Sequence, residues 1–391
     1  HPRCIFIMIS ICLLGASGSI GSQTLDVIKK NPDDFLLCAI SIGHQTKKIG
    51  RILQKFPSVQ MICVQESRSL NYYQKKYPHI RFFCGNQGLL ELIKNCGAEM
   101  IVNALVGFVG LKPTLFSLEE NRIVALANKE SLVVGGELID SLLSCGKGRI
   151  IPIDSEHVAL SKCLSVDSSH VKNLILTASG GSFRSLNRQQ LADVTVDDAL
   201  KHPTWKMGNK ITIDSATMMN KAFEIIEAHY LFGYPYSHIK VVLHDESYVH
   251  SMVQYQNGTY RLDISHPDMR VPIKYALFQG LVPYRTYLTD DYHHLNHFHF
   301  HPFLLARYPV IKWARVVIQK KGTYGTVLNA ANEVAVSAFL CGDIPFLGIE
   351  KIVAHLMKKH INISHPTFSD IEKIDIKTRQ EAKNFILSRY L

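Results

Sequence analysis

The stretch LLGASGSIGSQTLDVI, Leu13 to Ile28, decides the fold. Gly15, Gly18 and Gly21 follow an apolar run that begins at Cys4 and open a segment with helical periodicity. Glycines in a strand-to-helix turn let the backbone approach a pyrophosphate whose charge rests on the helix N-terminus. Working outward, Cys4–Leu14, Phe35–Ile42, Met61–Val64, Met100–Ala104, Ile123–Ala127 and Arg149–Ile153 read as strands. The intervals between them have room for crossover helices, so the pattern predicts an α/β domain over 1–153: a Rossmann-like parallel sheet covered on both sides.

An NAD-binding domain usually carries an acid at the end of its second strand for the ribose hydroxyls. Here that strand runs into Gly43, His44 and Gln45, then Lys47 and Lys48. Neutral or cationic donors suit a 2′-phosphate, so the expected cofactor is NADPH.

Beyond this domain, Asn173–Thr177, Lys240–Leu243, Ser251–Tyr255 and Tyr260–Ile264 read as strands beside one strong helix, Ala216–Leu231. They predict a central α+β catalytic domain over 154–280. Residues 180–209 are polar and poorly patterned, which suggests a mobile lid. A His- and Pro-rich linker over 281–309 leads to a C-terminal helical domain, 310–391.

Two segments carry the chemistry. In IIPIDSEHVALSKC, Asp154 and Glu156 close an apolar run. Continued as a strand, it turns both carboxylates to one face, where a cation between them would relieve their repulsion. In GNKITIDSATMMNKAFEIIEAHYLF, Asp214 or Ser215 can cap a helix whose Asn220, Glu224 and Glu227 share a face edged by Lys221. Its early turns are a phosphate cradle, and Glu224 or Glu227 supplies a third oxygen ligand. An all-carboxylate set suits Mg²⁺ or Mn²⁺.

Composition excludes other classes. The formal charge of +10 is spread without a run of five Lys or Arg, which argues against nucleic acid. No run approaches the ~18 apolar residues of a membrane span. Nine cysteines without a CxxC pair read as free thiols in a reducing compartment, so the expected location is the cytoplasm.

Taken together, these segments resemble the 1-deoxy-D-xylulose 5-phosphate reductoisomerase family. The matching blocks are LLGASGSIGSQTLDVI, LANKESLV, PIDSEH, LTASGGSFR, the run from His202 to Phe232, HSMVQY, HPDMRVPI and LNAANEVAVSAFL. The resemblance implies an NADPH- and metal-dependent homodimer that rearranges a phosphorylated sugar and reduces the product to 2-C-methyl-D-erythritol 4-phosphate. It implies Asp154, Glu156 and Glu224 as metal ligands, and Ser179, Ser215, Asn220 and Lys221, with His202, around the phosphate. Lys129 and Ser155 would meet the reacting part of the substrate. Ser17, Gly18, Ser19, Ile20, Gly43, His44, Gln45, Asn128, Glu130 and Gly208 would contact NADPH. Trp205 and Met207 would lie in the lid. The chain departs from the family pattern at Ala16-Ser17, His44-Gln45, Val158 and the connector YHHLNHFHFHP.

In that connector His297, His299 and His301 alternate and would share a strand face, but a solvated linker is the expectation. Two other readings stay open from the residues: a different NADP-dependent dehydrogenase with the same first domain, and a cofactor-binding protein without turnover.

Overall fold

The computed structural model describes residues 8–281 and 297–390, so the first residues of the Cys4–Leu14 run and residues 292–296 of the His-rich connector lie outside the described part. The described chain divides into two compact units rather than three domains.

The first unit comprises residues 1–128, 139–154 and 269–282. In order it contains β1 (Ile9–Leu14), α1 (Ser19–Lys30), β2 (Phe35–Ile42), α2 (Ile49–Lys55), β3 (Met61–Val64), α3 (Leu70–Lys76) and β4 (Arg81–Cys84). There follow α4 (Gly85–Asn95), β5 (Met100–Asn103), α5 (Leu111–Glu119), β6 (Ile123–Leu126), α6 (Glu130–Ser144) and β7 (Arg149–Pro152). The seven strands are parallel in the order β4-β3-β2-β1-β5-β6-β7. Short β4 is the strand that pattern reading missed. Both faces of β1 are buried: Ile11 and Leu13 join one apolar cluster, Cys12 and Leu14 the other. This two-sided burial explains why the run reads as continuous rather than alternating.

Strand order reverses at β1, and open parallel sheets bind ligands at such a switch, outside the strands' carboxyl ends. There Gly15 adopts φ +84°, and a Cβ on it would lie 2.6 Å from the Ala104 carbonyl oxygen. A Cβ on Gly21 would fall 2.2 Å from the Gly15 carbonyl oxygen, so α1 presses directly on the turn. The first turn of α1 carries no acid, which leaves its positive end clear for an anion.

The second unit comprises 129–138, 155–268 and 283–391. It contains the start of α6, then α7 (Ser155–Val166), β8 (Val171–Ala178), α8 (Val196–Ala199), α9 (Asn209–Thr217), α10 (Met219–Phe232), β9 (Ile239–His244), β10 (Val249–Tyr255) and β11 (Tyr260–Ile264). α11 (Arg270–Leu277) belongs to the first unit, where Ile273, Ala276 and Leu277 are buried and Phe278 meets Phe35 edge-on at 4.7 Å. β12 (Phe300–Pro302), α12 (Lys312–Lys320), α13 (Tyr324–Cys341), α14 (Phe346–Lys359) and α15 (Phe368–Arg389) complete the second unit.

The mixed sheet of this unit has the order β11-β10-β8-β9-β12. Its core runs without interruption from Leu160 and Leu174 through Phe223 to Ile349 and Ile386. The C-terminal helices therefore share one core with the sheet instead of forming a domain of their own. Part of the expected linker is also structured, because β12 pairs antiparallel with β9. His299 Nδ1 bonds to Glu246, and His301 Nε2 lies 3.2 Å from Asp245 Oδ2. No group of three potential metal ligands gathers there among the described residues.

Candidate active site

The local structure around Asp154 and Glu156 differs from the strand expected. β7 ends at Pro152 and α7 begins at Ser155, so Glu156 sits in the first turn of a helix and Asp154 immediately precedes it. The two carboxylates are not alternating positions of one strand. Asp-Ser-Glu is a helix-opening pattern, and that chemistry outweighs the apolar run before it.

The catalytic helix is likewise two helices. Met218, at φ +65°, separates α9 from α10. Asp214 and Ser215 thus lie inside α9, not at a cap, and both are buried. A non-glycine residue in the left-handed region gives no sequence warning of such a break.

α10 presents Asn220, Lys221, Glu224 and Glu227 from successive turns. Glu224 is 0% exposed. Carboxylate oxygens of Glu156 and Glu224 lie within 4.8 Å of one another. The Lys221 ammonium joins them, 2.8 Å from Glu156 Oε1 and bonded to Glu224 and to the Thr177 carbonyl. Burial opposes charge on Lys221, but Glu156 and Glu224 outweigh it and hold the ammonium above its ordinary value. Lys129, 6% exposed, donates to Asn220 Oδ1 at 2.8 Å and lies 3.4 Å from Glu224 Oε1. Two buried lysines thus neutralise buried Glu224 and half-buried Glu156, as charges removed from water require.

Behind this cluster His157 Nε2 donates to the Glu224 carbonyl oxygen at 2.9 Å, and its Nδ1 lies 3.3 Å from Glu227 Oε2. Glu227 faces His157, while Glu224 faces the two lysines beside Glu156, and both acids fall in groups able to hold a metal ion.

The expected phosphate residues separate into two groups. Ser179 Oγ and His202 Nε2 are 3.0 Å apart. His202 Nδ1 accepts from the backbone N–H groups of Thr204 and Trp205 at 3.1 and 2.9 Å, so Nε2 carries the proton. Asn220 and Lys221 bond instead within the carboxylate cluster. Burial, with the Arg184 charge adding to it, pushes His202 down to about 4. An unfolded chain protonates this ring below about 6.5, whereas the folded one resists until about 4. Stability from the neutral ring is therefore full above 6.5 and drains away as pH falls through that window. A His202→Asn variant is expected to show a flatter melting temperature between these pH values; an unchanged slope would remove His202 as its source.

The segment before His202 is built rather than loose. Phe183, Leu191 and Ala199 are buried in the core, Phe183 meets Phe346 edge-on at 5.0 Å, and Arg188 pairs with Glu350. Thr195 and Asp198 form a capping box on α8. Residues 179–189 and the stretch from Lys201 to Gly208 both lack a helix or strand, but the first carries buried Phe183 and the paired Arg188. Within the second, Trp205 approaches the His250 ring at 6.1 Å. His250 lies in the HSMVQY block, where strand alternation turns it inward; its position beside Trp205 had no local signal.

In the first unit the remaining residues gather at strand ends. Ser17 to Ile20 form the turn and start of α1, and Gly43 to Gln45 follow β2. Asn128 donates to the carbonyls of Leu105 and Gly107, both at 2.9 Å. Lys48 Nζ donates to the Ser17 carbonyl at 2.9 Å. One acid does come near: Glu66, after β3, sits 2.9 Å from His44 Nδ1. Glu130 and Gly208, the other expected cofactor residues, belong to the second unit, at the start of α6 and the N-cap of α9.

Comparison with known proteins places the chain beside one enzyme family. Residues 11–136 match the family model described as 1-deoxy-D-xylulose 5-phosphate reductoisomerase. Residues 150–232 and 264–381 match two C-terminal domain models of the same enzyme. The Geobacillus kaustophilus 1-deoxy-D-xylulose 5-phosphate reductoisomerase is 45% identical over 96% of this chain and 99% of its own length. The Listeria innocua protein of that name is 42% identical over 97% and 100%. A Zymomonas mobilis reductoisomerase solved with NADPH superposes with TM-score 0.89 at 33% identity, covering 97% of this chain and 99% of its own. A reductoisomerase in complex with NADPH, fosmidomycin and magnesium gives 0.90 at 33%, covering 98% and 100%.

Proposed function

The chain belongs to the 1-deoxy-D-xylulose 5-phosphate reductoisomerase family, and from that premise we infer that it isomerises and reduces 1-deoxy-D-xylulose 5-phosphate to 2-C-methyl-D-erythritol 4-phosphate in isoprenoid biosynthesis. NADPH and Mg²⁺ are its cofactors. The observation that carries the reading is the set of buried Glu224, Lys129 and Lys221 around half-buried Glu156.

This set fits a hard divalent ion: its acceptors are carboxylate oxygens, beside amide and ammonium donors suited to sugar hydroxyls. Asp154, Glu156 and Glu224 would hold the ion, with Mn²⁺ able to use the same donors. When bound, it supplies Lewis-acid polarisation of the substrate's oxygens and orients them. Lys129 Nζ and Asn220 hold the reacting hydroxyls, and Ser155 lies beside Glu156. Ser179, Ser215 and the Nε2–H of His202 receive the phosphate, while Lys221 stands between the phosphate side and the acids. The glycine turn fits a pyrophosphate, since a Cβ at Gly15 or Gly21 would fill its space. Ser17, Gly18, Ser19, Ile20, Gly43, His44, Gln45, Asn128, Glu130 and Gly208 would contact NADPH, which supplies the hydride.

We assign residues 1–153 to cofactor binding, 154–280 to catalysis with the lid confined to about 201–208, and the C-terminal helices to support. Eight free cysteines among the described residues favour a reducing cytoplasm. No described helix is long and apolar enough to cross a membrane.

A homodimer is supported by β11, the sheet's edge. Arg261 and Asp263 face inward, with Asp263 3.0 Å from Lys162, while Tyr260, Leu262 and Ile264 are 53%, 42% and 40% exposed. An apolar edge strand is a liability unless another chain covers it. Leu262→Glu is expected to shift sedimentation from dimer to monomer; a wild-type monomer would reject the assembly. The function itself is tested by incubating purified protein with the sugar phosphate, Mg²⁺ and NADPH. Substrate-dependent loss of NADPH absorbance is expected. No loss, with both cofactors supplied, would overturn the reading.

A further inference from the structure

Lys210 lies in the first turn of α9, between segments that the reaction uses but in no role derived so far. Its ammonium is 2.9 Å from Glu130 Oε1 and 2.8 Å from Asp214 Oδ2. The other oxygen of Asp214 accepts from Asn332 Nδ2 of α13 at 2.7 Å. The ammonium also stands 5.5 Å from the Phe223 ring of α10. Glu130, Asp214 and Asn332 are 7%, 2% and 0% exposed. One cation therefore joins the start of α6 to α9, α10 and α13, all within the second unit.

The order of residues gives this hub its meaning. Lys129 and Glu130 are neighbours in LANKESLV; α10 holds the first through Asn220 and Glu224, and Lys210 holds the second. Gly208 lies two residues before Lys210, at the N-cap of α9 and the end of the lid stretch. Asn332 fixes Asp214, so the ammonium cannot swing away from Glu130 without breaking a buried ion pair.

We propose that Lys210 is a positioning residue that holds the Glu130 carboxylate where NADPH meets it, with Asp214 and Asn332 as the anchor of its ammonium. The inference rests on the reading that Glu130 contacts the cofactor. Burial works against charge on Glu130, and the Lys210 ammonium outweighs it, keeping the carboxyl below its ordinary value. Without that ammonium, Glu130 and Asp214 are two buried acids side by side, and one of them takes up a proton or turns away.

Removing either partner of a buried ion pair destabilises a protein, so melting temperature cannot separate positioning from support. NADPH affinity can. Fluorescence titration of NADPH, without metal or sugar phosphate, is compared for wild type, Lys210→Met, Lys210→Arg and Asp214→Asn. Loss of one charge-assisted contact predicts Kd raised at least about tenfold in Lys210→Met and within about threefold in Lys210→Arg. Asp214→Asn keeps the Lys210–Glu130 contact and loosens only its anchor, so it should melt earlier and raise Kd for NADPH by no more than about threefold. In steady state, Lys210→Met should raise KM for NADPH and leave KM for the sugar phosphate unchanged.

Equal NADPH affinity in Lys210→Met and wild type overturns the proposal, as does equal weakening in Lys210→Met and Asp214→Asn. Wild type failing to bind NADPH would instead reject the functional reading. Should Lys210→Met fail to fold, Lys210→Gln with Asp214→Asn leaves a neutral hydrogen-bonding pair, and the same tenfold threshold decides.

Discussion

Glu224→Gln is expected to lower kcat/KM by on the order of 10³-fold, about 4 kcal/mol of transition-state stabilisation. The side chain keeps its shape and its place in α10, but its charge is gone. Lys129 and Lys221, which now share Glu156 and Glu224, would then bear on Glu156 alone. Against Lys129 and Lys221, the remaining acids Asp154 and Glu156 leave the site neutral rather than net anionic, so loss of one ligand is compounded by loss of field. Titration with Mn²⁺, followed by its paramagnetic relaxation of water, should show binding in wild type and none in the variant. Glu227→Gln is the control. Its carboxylate faces His157 rather than the lysines, so that variant should melt earlier but still bind metal. Metal binding retained in Glu224→Gln and lost in Glu227→Gln would exchange their roles.

The second large effect concerns Trp205. Trp205→Ala is expected to reduce kcat/KM for the sugar phosphate on the order of 10²-fold, because an indole closing over the substrate excludes water and fixes the reacting geometry. NADPH affinity should change little, since most of its cradle lies in the first unit. Trypsin provides the structural readout. Arg184 and Arg188 fall in a segment tied down by Phe183, Leu191 and the Glu350 pair, so they should resist cleavage. Lys201 and Lys206 are exposed in the stretch without helix or strand, and cutting should start there. Adding NADPH, Mg²⁺ and a phosphonate inhibitor should slow it markedly. Equal rates with and without them would reject closure.

The features legible in the sequence were those encoded within a few residues. The glycine turn followed a buried strand and opened a helix, so three local signals agreed, and the parallel sheet followed from repetition of that unit. The residues of the carboxylate cluster were also legible, because Asn220, Lys221 and Glu224 lie on consecutive turns of one helix. Their neighbours were not. The strand drawn through Asp154 and Glu156 failed because an apolar run was extended past a helix-opening Asp-Ser-Glu. β4 escaped because Arg81–Cys84 is too short to show a period. Glu66 beside His44, and Asn332 against Asp214, depend on contacts across distant sequence, for which periodicity contains no information. The packing of residues 180–200 was hidden for a related reason: Phe183, Leu191 and Ala199 are spaced irregularly, and their burial is decided by α14 and its neighbours.

The left-handed break at Met218 carries a consequence of another kind. Drawn as one cylinder, α9 and α10 would put Asp214 and Lys221, seven positions apart, on a common stripe. The break gives each helix its own rotational phase. Asp214 turns to Lys210 and Asn332, and Lys221 turns to Glu156 and Glu224. Two tasks, gripping the C-terminal helices and presenting the acid cluster, are thereby modular. Substitutions that rotate or reseat α9 can be absorbed at Met218 without transmitting a twist to the ligand-bearing turns of α10. A helix-stiffening change that forced Met218 into right-handed geometry would couple the two phases again, and neither set of partners could then be met at once.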